Sequence, residues 1–212
     1  MTKIIAFAQQ KGGVGKTTLS TNVATALTTH QKGVLLVDAD MQGSAMDWAS
    51  MNDEYHFPTV QICRGDIGAQ INLMVETGNY DYVVVDCAPR NEKELASIIK
   101  VADLVILPCM PSPLDIWACD SIVDAIKTRQ HLTNKPKAAF LLNGTHPLSN
   151  IQVDILDALK EYKLPLLDTV IAARTSYRRI MNEGKSVIFS EDHKASGEIH
   201  TLTNEIMEIL ND

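Results

Sequence analysis

Between a short apolar run and a stretch of helical spacing, the chain carries Lys11-Gly12-Gly13-Val14-Gly15-Lys16-Thr17-Thr18. Backbone N–H groups crowd around phosphate oxygens only where side chains leave room, so Gly12, Gly13 and Gly15, with Val14 among them, suit a phosphate cradle at a helix start. Lys16 is a point charge for the β and γ phosphates of a nucleotide, the Thr17 hydroxyl is placed to hold Mg²⁺, and Thr18 reaches the α-phosphate. The general pattern G-x-x-x-x-G-K-[ST] has Gln10 where its first glycine stands. Lys11 therefore sits beside the loop. A second lysine so close is costly unless it meets more negative charge than one such loop already neutralises.

Hydrolysis of a nucleotide needs a positioned water and neutralisation by Mg²⁺, so carboxylates are expected at neighbouring strand ends. Val83-Val84-Val85-Asp86 is an apolar strand closing on an aspartate, the Walker-B form, and Asp86 is expected to hold a metal-bound water. Val34-Leu35-Leu36-Val37 closes on Asp38 in the same way, with Asp40 two residues on. Guanine specificity calls for Asn-Lys-x-Asp after a late strand, whereas this chain has Asn143-Gly144-Thr145-His146, so ATP is favoured over GTP. Asn143 is placed either for an adenine edge or as a turn-former after a strand.

The elements that must position these groups follow from periodicity. Strands are expected at Lys3 to Ala8, Val34 to Val37, Tyr82 to Val85, Leu104 to Leu107 and Ala138 to Leu142. Helices are expected at Thr17 to Thr29, Asp115 to His131, Ile151 to Tyr162, Ser176 to Asn182 and Gly197 to Leu210. Alternating strand and helix predicts an α/β fold, a mostly parallel twisted sheet with helices on both faces, over one domain spanning residues 1–212. Right-handed crossovers then bring the strand ends, and the polar residues on them, to one edge.

Composition narrows the setting. A 212-residue chain with 45% hydrophobic residues and a net charge of -7 buries a core unaided and repels nucleic acid and acidic membranes except through a local basic patch. Cys63, Cys87, Cys109 and Cys119 show no C-x-x-C pairing, and the chain starts without an apolar signal segment, which predicts a reducing cytoplasm and four buried thiols. No apolar run approaches the roughly 20 residues needed to span a bilayer.

On the loop and its extra lysine the chain resembles the deviant Walker-A ATPases, the group that includes the ParA and ParF partition proteins, MinD and the nitrogenase iron protein. Lys11 matches their signature lysine. The resemblance implies a homodimer formed with ATP and Mg²⁺, in which this lysine crosses to the partner's nucleotide. It implies that Asp38-Ala39-Asp40-Met41-Gln42-Gly43-Ser44 is the second acidic motif, with Gln42 at the nucleotide, Asp40 positioning the attacking water, and Asp38 near the metal or as its alternate. Asn143 then reads adenine.

The segment Leu104 to Asp115 resembles the one following the fourth strand of plasmid partition ATPases, and small ParF-like forms match best because the first strand begins at Lys3. That implies plasmid or chromosome segregation: an ATP dimer bound to nucleoid DNA without sequence preference, reset when a separate centromere-binding adaptor of the ParB or ParG kind stimulates hydrolysis. Arg174, Arg178, Arg179, Lys185 and Lys194 are the candidate DNA contacts. Relatives that position carboxysomes or chemoreceptor clusters supply an alternative cargo. A MinD-like membrane role calls for basic flanks on the closing helix, and its flanks here are acidic, so no membrane partner is expected. A cluster-holding redox role would fall to Cys87 and Cys109, whose surroundings do not match the ligand segments of the nitrogenase protein.

Overall fold

The computed structural model describes residues 1–51, 57–89, 92–146 and 150–211. In chain order its elements are β1 (Lys3–Phe7), α1 (Lys16–Thr29), β2 (Val34–Asp38), α2 (Ser44–Ser50), β3 (Thr59–Gln61), α3 (Ile67–Thr77), β4 (Tyr82–Asp86) and α4 (Glu92–Val101). Then follow β5 (Leu104–Cys109), α5 (Pro113–Trp117), α6 (Asp120–Thr133), β6 (Lys137–Thr145), α7 (Asn150–Glu161), β7 (Leu166–Ala172), α8 (Thr175–Asn182), a single 3₁₀ turn (Val187–Phe189) and α9 (His193–Asn211).

The seven strands form one sheet in the order β3-β2-β4-β1-β5-β6-β7, and every pairing is parallel. Continuous apolar strands are needed because both faces are covered. Ile4, Ala6, Val83, Val85, Val105 and Leu107 face one core with α3, α4 and α6, while Ile5, Phe7, Val84, Leu104 and Ile106 face the other with α1 and α9. Strand register sets up the site: Asp38 is the Cα partner of Asp86 at the ends of β2 and β4, and Phe7, the last residue before the glycine loop, is the partner of Asp86 on its other side.

Several expectations are corrected. The helix expected over Asp115 to His131 is two helices, because Pro113 opens a five-residue α5 and the chain turns at Ala118–Cys119 before α6 begins. The closing helix begins at His193 rather than Gly197. Strand β6 runs through Thr145, which puts Asn143 within the strand rather than after it. Strands β3 and β7 were not expected; β3 is three residues long, and β7 alternates buried and exposed positions as an edge strand does. Of the four cysteines, Cys63 is only half-buried.

Candidate nucleotide site

The glycine loop leaves the end of β1 and turns into α1 through Gly15, whose φ of 92° is a left-handed conformation. Close approach adds a second reason for glycine there: a Cβ on Gly15 would lie 2.3 Å from Asn143 Nδ2. That Asn143 amide donates to the Val14 carbonyl at 2.7 Å, so the residue expected at the adenine is held against the loop itself. Lys16 is 7% exposed and folds its ammonium back to the Lys11 carbonyl at 3.1 Å. Burial lowers its pKa, opposed by the nearby charges of Asp86 and Asp40.

Thr17 Oγ1 donates to Asp86 Oδ2 at 2.6 Å, tying the first turn of α1 to the end of β4. Asp86 is 1% exposed, and its Oδ1 is buried with no hydrogen-bond partner among the described residues. Burial pushes its carboxyl up to about 7, while the Thr17 hydrogen bond works the other way and the neighbouring Asp38 adds to the rise. An orphaned carboxylate oxygen beside a threonine hydroxyl fits Mg²⁺, a hard cation that takes oxygen ligands and shares them with phosphates and water. Thr17 and Asp86 are the residues that would hold it.

The other two aspartates divide sharply. Asp38 is fully buried, and its oxygens accept from the backbone N–H groups of Asp40 at 3.0 Å, Ala45 at 2.9 Å and Met46 at 3.0 Å. It fixes the turn and satisfies the first N–H groups of α2, a structural duty that leaves little capacity for a base. Burial raises its pKa against these three donors. Asp40 is half-buried on the same turn; its Oδ1 accepts the Gln42 N–H at 2.9 Å and its carbonyl accepts Gln61 Nε2 at 2.8 Å. The Gln42 side chain is exposed. Gln61 and Gln9 are site residues that sequence reasoning missed: Gln9 is 1% exposed and donates to Cys119 Sγ at 3.0 Å, supporting the loop from below.

Lys11 does not close on its own loop. Its ammonium meets Asp115 Oδ2 on α5 at 2.8 Å, with Lys11 41% and Asp115 1% exposed at their side chains. Asp115 is another residue that sequence reasoning missed; its only signal was a carboxylate between apolar Leu114 and Ile116. Gln10 reaches the same region by contacting Ser121.

The basic candidates separate. Arg178 and Arg179 point outward from α8 while Tyr177 and Ile180 are buried behind them. Arg179 and Lys185 line one open cavity of about 470 Å³ together with Glu183 and Glu191. Lys185 lies 3.4 Å from Glu183, and Lys194 is exposed at the start of α9. Arg174 is instead engaged by Glu198 on α9, through Nε at 3.0 Å and an Nη at 2.6 Å. The apolar stripe of α9, including Ile199, Leu202, Ile206 and Leu210, packs into the core. No described helix is long and apolar enough to cross a membrane. Cys87 and Cys109 are both buried, Cys109 against Cys119 at 3.4 Å between sulfurs. Among the described residues no group of three or more His, Cys, Asp or Glu side chains is placed to hold a metal.

Known proteins are similar to this chain in sequence and in fold. The family model for the CobQ/CobB/MinD/ParA nucleotide binding domain matches residues 5–187. Maintenance of carboxysome distribution protein A from Halothiobacillus neapolitanus is 34% identical over 208 residues, covering 96% of this chain and 95% of that protein. Two solved structures show the same fold. An ATP complex of a Cyanothece McdA variant matches with a TM-score of 0.78 and 16% identity, over 97% of this chain and 96% of that one. The septum site-determining protein MinD from Pyrococcus horikoshii, solved with Mg-ADP, matches with a TM-score of 0.74 and 21% identity, over 97% and 96%. The glycine loop, the two aspartate-ended strands and these likenesses agree: the chain belongs to the CobQ/CobB/MinD/ParA family of nucleotide-binding domains.

Proposed function

We propose that this chain is a Mg²⁺-dependent ATPase that dimerises around ATP and uses the ATP state to hold a large cargo on nucleoid DNA. The observation that carries the reading is Lys11. Its ammonium is turned from its own phosphate loop to Asp115, and its side chain is 41% exposed, so a nucleotide on a second copy can reach it and compete for that ion pair. When bound, Mg²⁺ neutralises charge on the β and γ phosphates. Lys16 binds those phosphates, the loop N–H groups orient them, and Asp40, half-buried where Asp38 and Asp86 are fully enclosed and with one carboxylate oxygen on the Gln42 N–H, positions the attacking water. Asp38 keeps that turn in place. With no arginine beside the phosphate loop among the described residues, intrinsic turnover is slow and a partner protein resets the cycle.

The cargo reading follows the relatives. The carboxysome distribution protein matches over nearly its full length, which favours a protein assembly with its own adaptor over a plasmid with a ParB- or ParG-like centromere-binding partner. Segregation of DNA by the same chemistry is the second reading, supported by the Leu104 to Asp115 segment. Either task requires non-specific DNA contacts, and Arg178, Arg179, Lys185 and Lys194 are the exposed candidates; Arg174, paired with Glu198, contributes less. A protein of this net charge binds DNA only through such a patch. Changing Arg178 and Arg179 together to alanine is expected to weaken ATP-dependent retention on a DNA column by roughly tenfold or more at 0.1 M salt, by loss of phosphate contacts, and to leave ATP affinity unchanged. Undiminished retention removes α8 from the DNA face.

A further inference from the structure

Two helices that start at the nucleotide site converge on the same three residues late in the chain. Asn22, in the second turn of α1, is fully buried; its amide donates to the Thr18 carbonyl at 2.6 Å. Its Oδ1 accepts both the Ser186 hydroxyl at 2.7 Å and the Val187 N–H at 2.8 Å. Trp48, on α2, is 2% exposed and donates its indole N–H to the Lys185 carbonyl at 3.0 Å. Residues 185, 186 and 187 are thus each held by a side chain from a helix that begins at the phosphate loop or at the Asp38–Asp40 turn.

A separate observation shows how closely this segment lies on α2. Gly184 has a φ of 66°, and a Cβ there would come within 2.5 Å of Met51 Cβ and 3.0 Å of the Trp48 carbonyl. Next to it in the chain is α8, with Arg178 and Arg179 outward, and Met181 of α8 meets Thr21 of α1 at 3.5 Å. A shift of α1 or α2 cannot be absorbed at such buried, satisfied polar contacts without moving the segment or breaking them.

We propose that residues 185–187 are a relay, and that Asn22 and Trp48 are positioning residues through which occupancy of the nucleotide site sets the placement of α8 and its two arginines. The ligand at the far end is a polyanion, a stretch of DNA backbone; that half rests on the function proposed above, while the coupling of site to segment does not. Linkage makes the relay reciprocal. If nucleotide favours the placement of α8 that binds DNA, DNA must tighten nucleotide binding by the same factor.

The test uses the full chain, a non-hydrolysable ATP analogue with Mg²⁺, a short DNA duplex, and the variants Trp48→Phe and Asn22→Ala. Trp48→Phe removes the indole donor and keeps an aromatic ring in the core, so it remains informative if Asn22→Ala fails to fold. Amide hydrogen exchange over residues 178–189 is expected to slow about tenfold with analogue in the unaltered chain, and the duplex to tighten analogue binding about fivefold. In the variants both responses should fall towards onefold, with affinity for the analogue alone kept within about twofold, a pattern that mere loss of stability does not give. Exchange over 178–189 that ignores the analogue in the unaltered chain, or full responses in the folded variants, overturns the relay. A segment that responds while no state of the chain binds the duplex supports the relay and rejects the DNA reading.

Discussion

Lys16→Ala is expected to abolish useful nucleotide binding and to leave a folded protein. The ammonium is buried in a loop that supplies it one carbonyl, from Lys11, and its pKa is lowered by that burial, so the resting chain gains little from it. With ATP present the position is expected to change, because under the proposed function this lysine turns to the phosphates of its own loop. Loss of such a donor costs roughly 10²–10³-fold in turnover by comparison with other preorganised charge sites. Calorimetry with ATP, phosphate release and a thermal melt together check it. Turnover within a fewfold of the unaltered chain would reject the role.

Asp86→Asn has opposite effects on stability and activity. The folded carboxyl titrates at about 7 against an ordinary 3.8, so between those values the native chain holds a proton that the unfolded chain has lost. Stability therefore falls as pH rises across that window, and above pH 7 the folded protein carries a buried carboxylate at its full cost. The amide cannot ionise, and it keeps an oxygen for the Thr17 hydroxyl. Urea melts without Mg²⁺ should show the variant more stable than the parent at pH 8, by at most on the order of 4 kcal/mol, with the difference vanishing near pH 4. Turnover should drop by more than about 100-fold, because the orphaned oxygen that fits Mg²⁺ is gone. Parallel melts at both pH values contradict the assignment of Asp86 as the strained carboxylate.

Much of this was legible in the chain itself. Phosphate cradles demand glycine and lysine at fixed spacing, and strands buried on both faces read as unbroken apolar runs, so the loop, β1, β2, β4 and β5 could be placed. What stayed hidden depended on contacts between distant residues. Asp38 and Asp40 look alike in sequence; only the fold shows that Asp38 is consumed by three backbone donors while, among the described residues, the Asp40 carboxylate accepts only the Gln42 N–H. Asn143, expected at the nucleotide base, lies within β6 and donates its side-chain amide to the Val14 carbonyl, a contact no local pattern reveals. Arg174 belongs to the basic segment by composition and to Glu198 by geometry. Strand β7 was missed because its sequence does not follow its burial, apolar Val170 being exposed and polar Thr169 buried, and because the backbone N–H groups of Asp168 and Thr169 are met by Glu205 of α9, far along the chain.

Lys11 stands where the phosphate loop meets α5. In the single chain its charge is taken up by Asp115, a carboxylate that is itself nearly inaccessible and has one oxygen without a partner among the described residues. The ion pair fixes α5 beside the phosphate loop while exposing Leu114 and Trp117 on the same helix. In the proposed dimer, drawing Lys11 away to a second nucleotide would exchange this ion pair for a contact with phosphate, which would make dimer formation depend on nucleotide and not on apolar area alone.

The most direct measurement is the solution mass by light scattering with and without Mg-ATP, on the unaltered chain, on Asp40→Ala and on Lys11→Ala. Asp40→Ala should bind ATP, fail to turn it over and hold roughly twice the 23.3 kDa monomer mass, and the unaltered chain should reach the same mass and lose it as its ATP is slowly consumed. Lys11→Ala should bind ATP and stay at the monomer mass. Monomer mass for Asp40→Ala with ATP bound, or an ATP-dependent dimer of Lys11→Ala, contradicts the account.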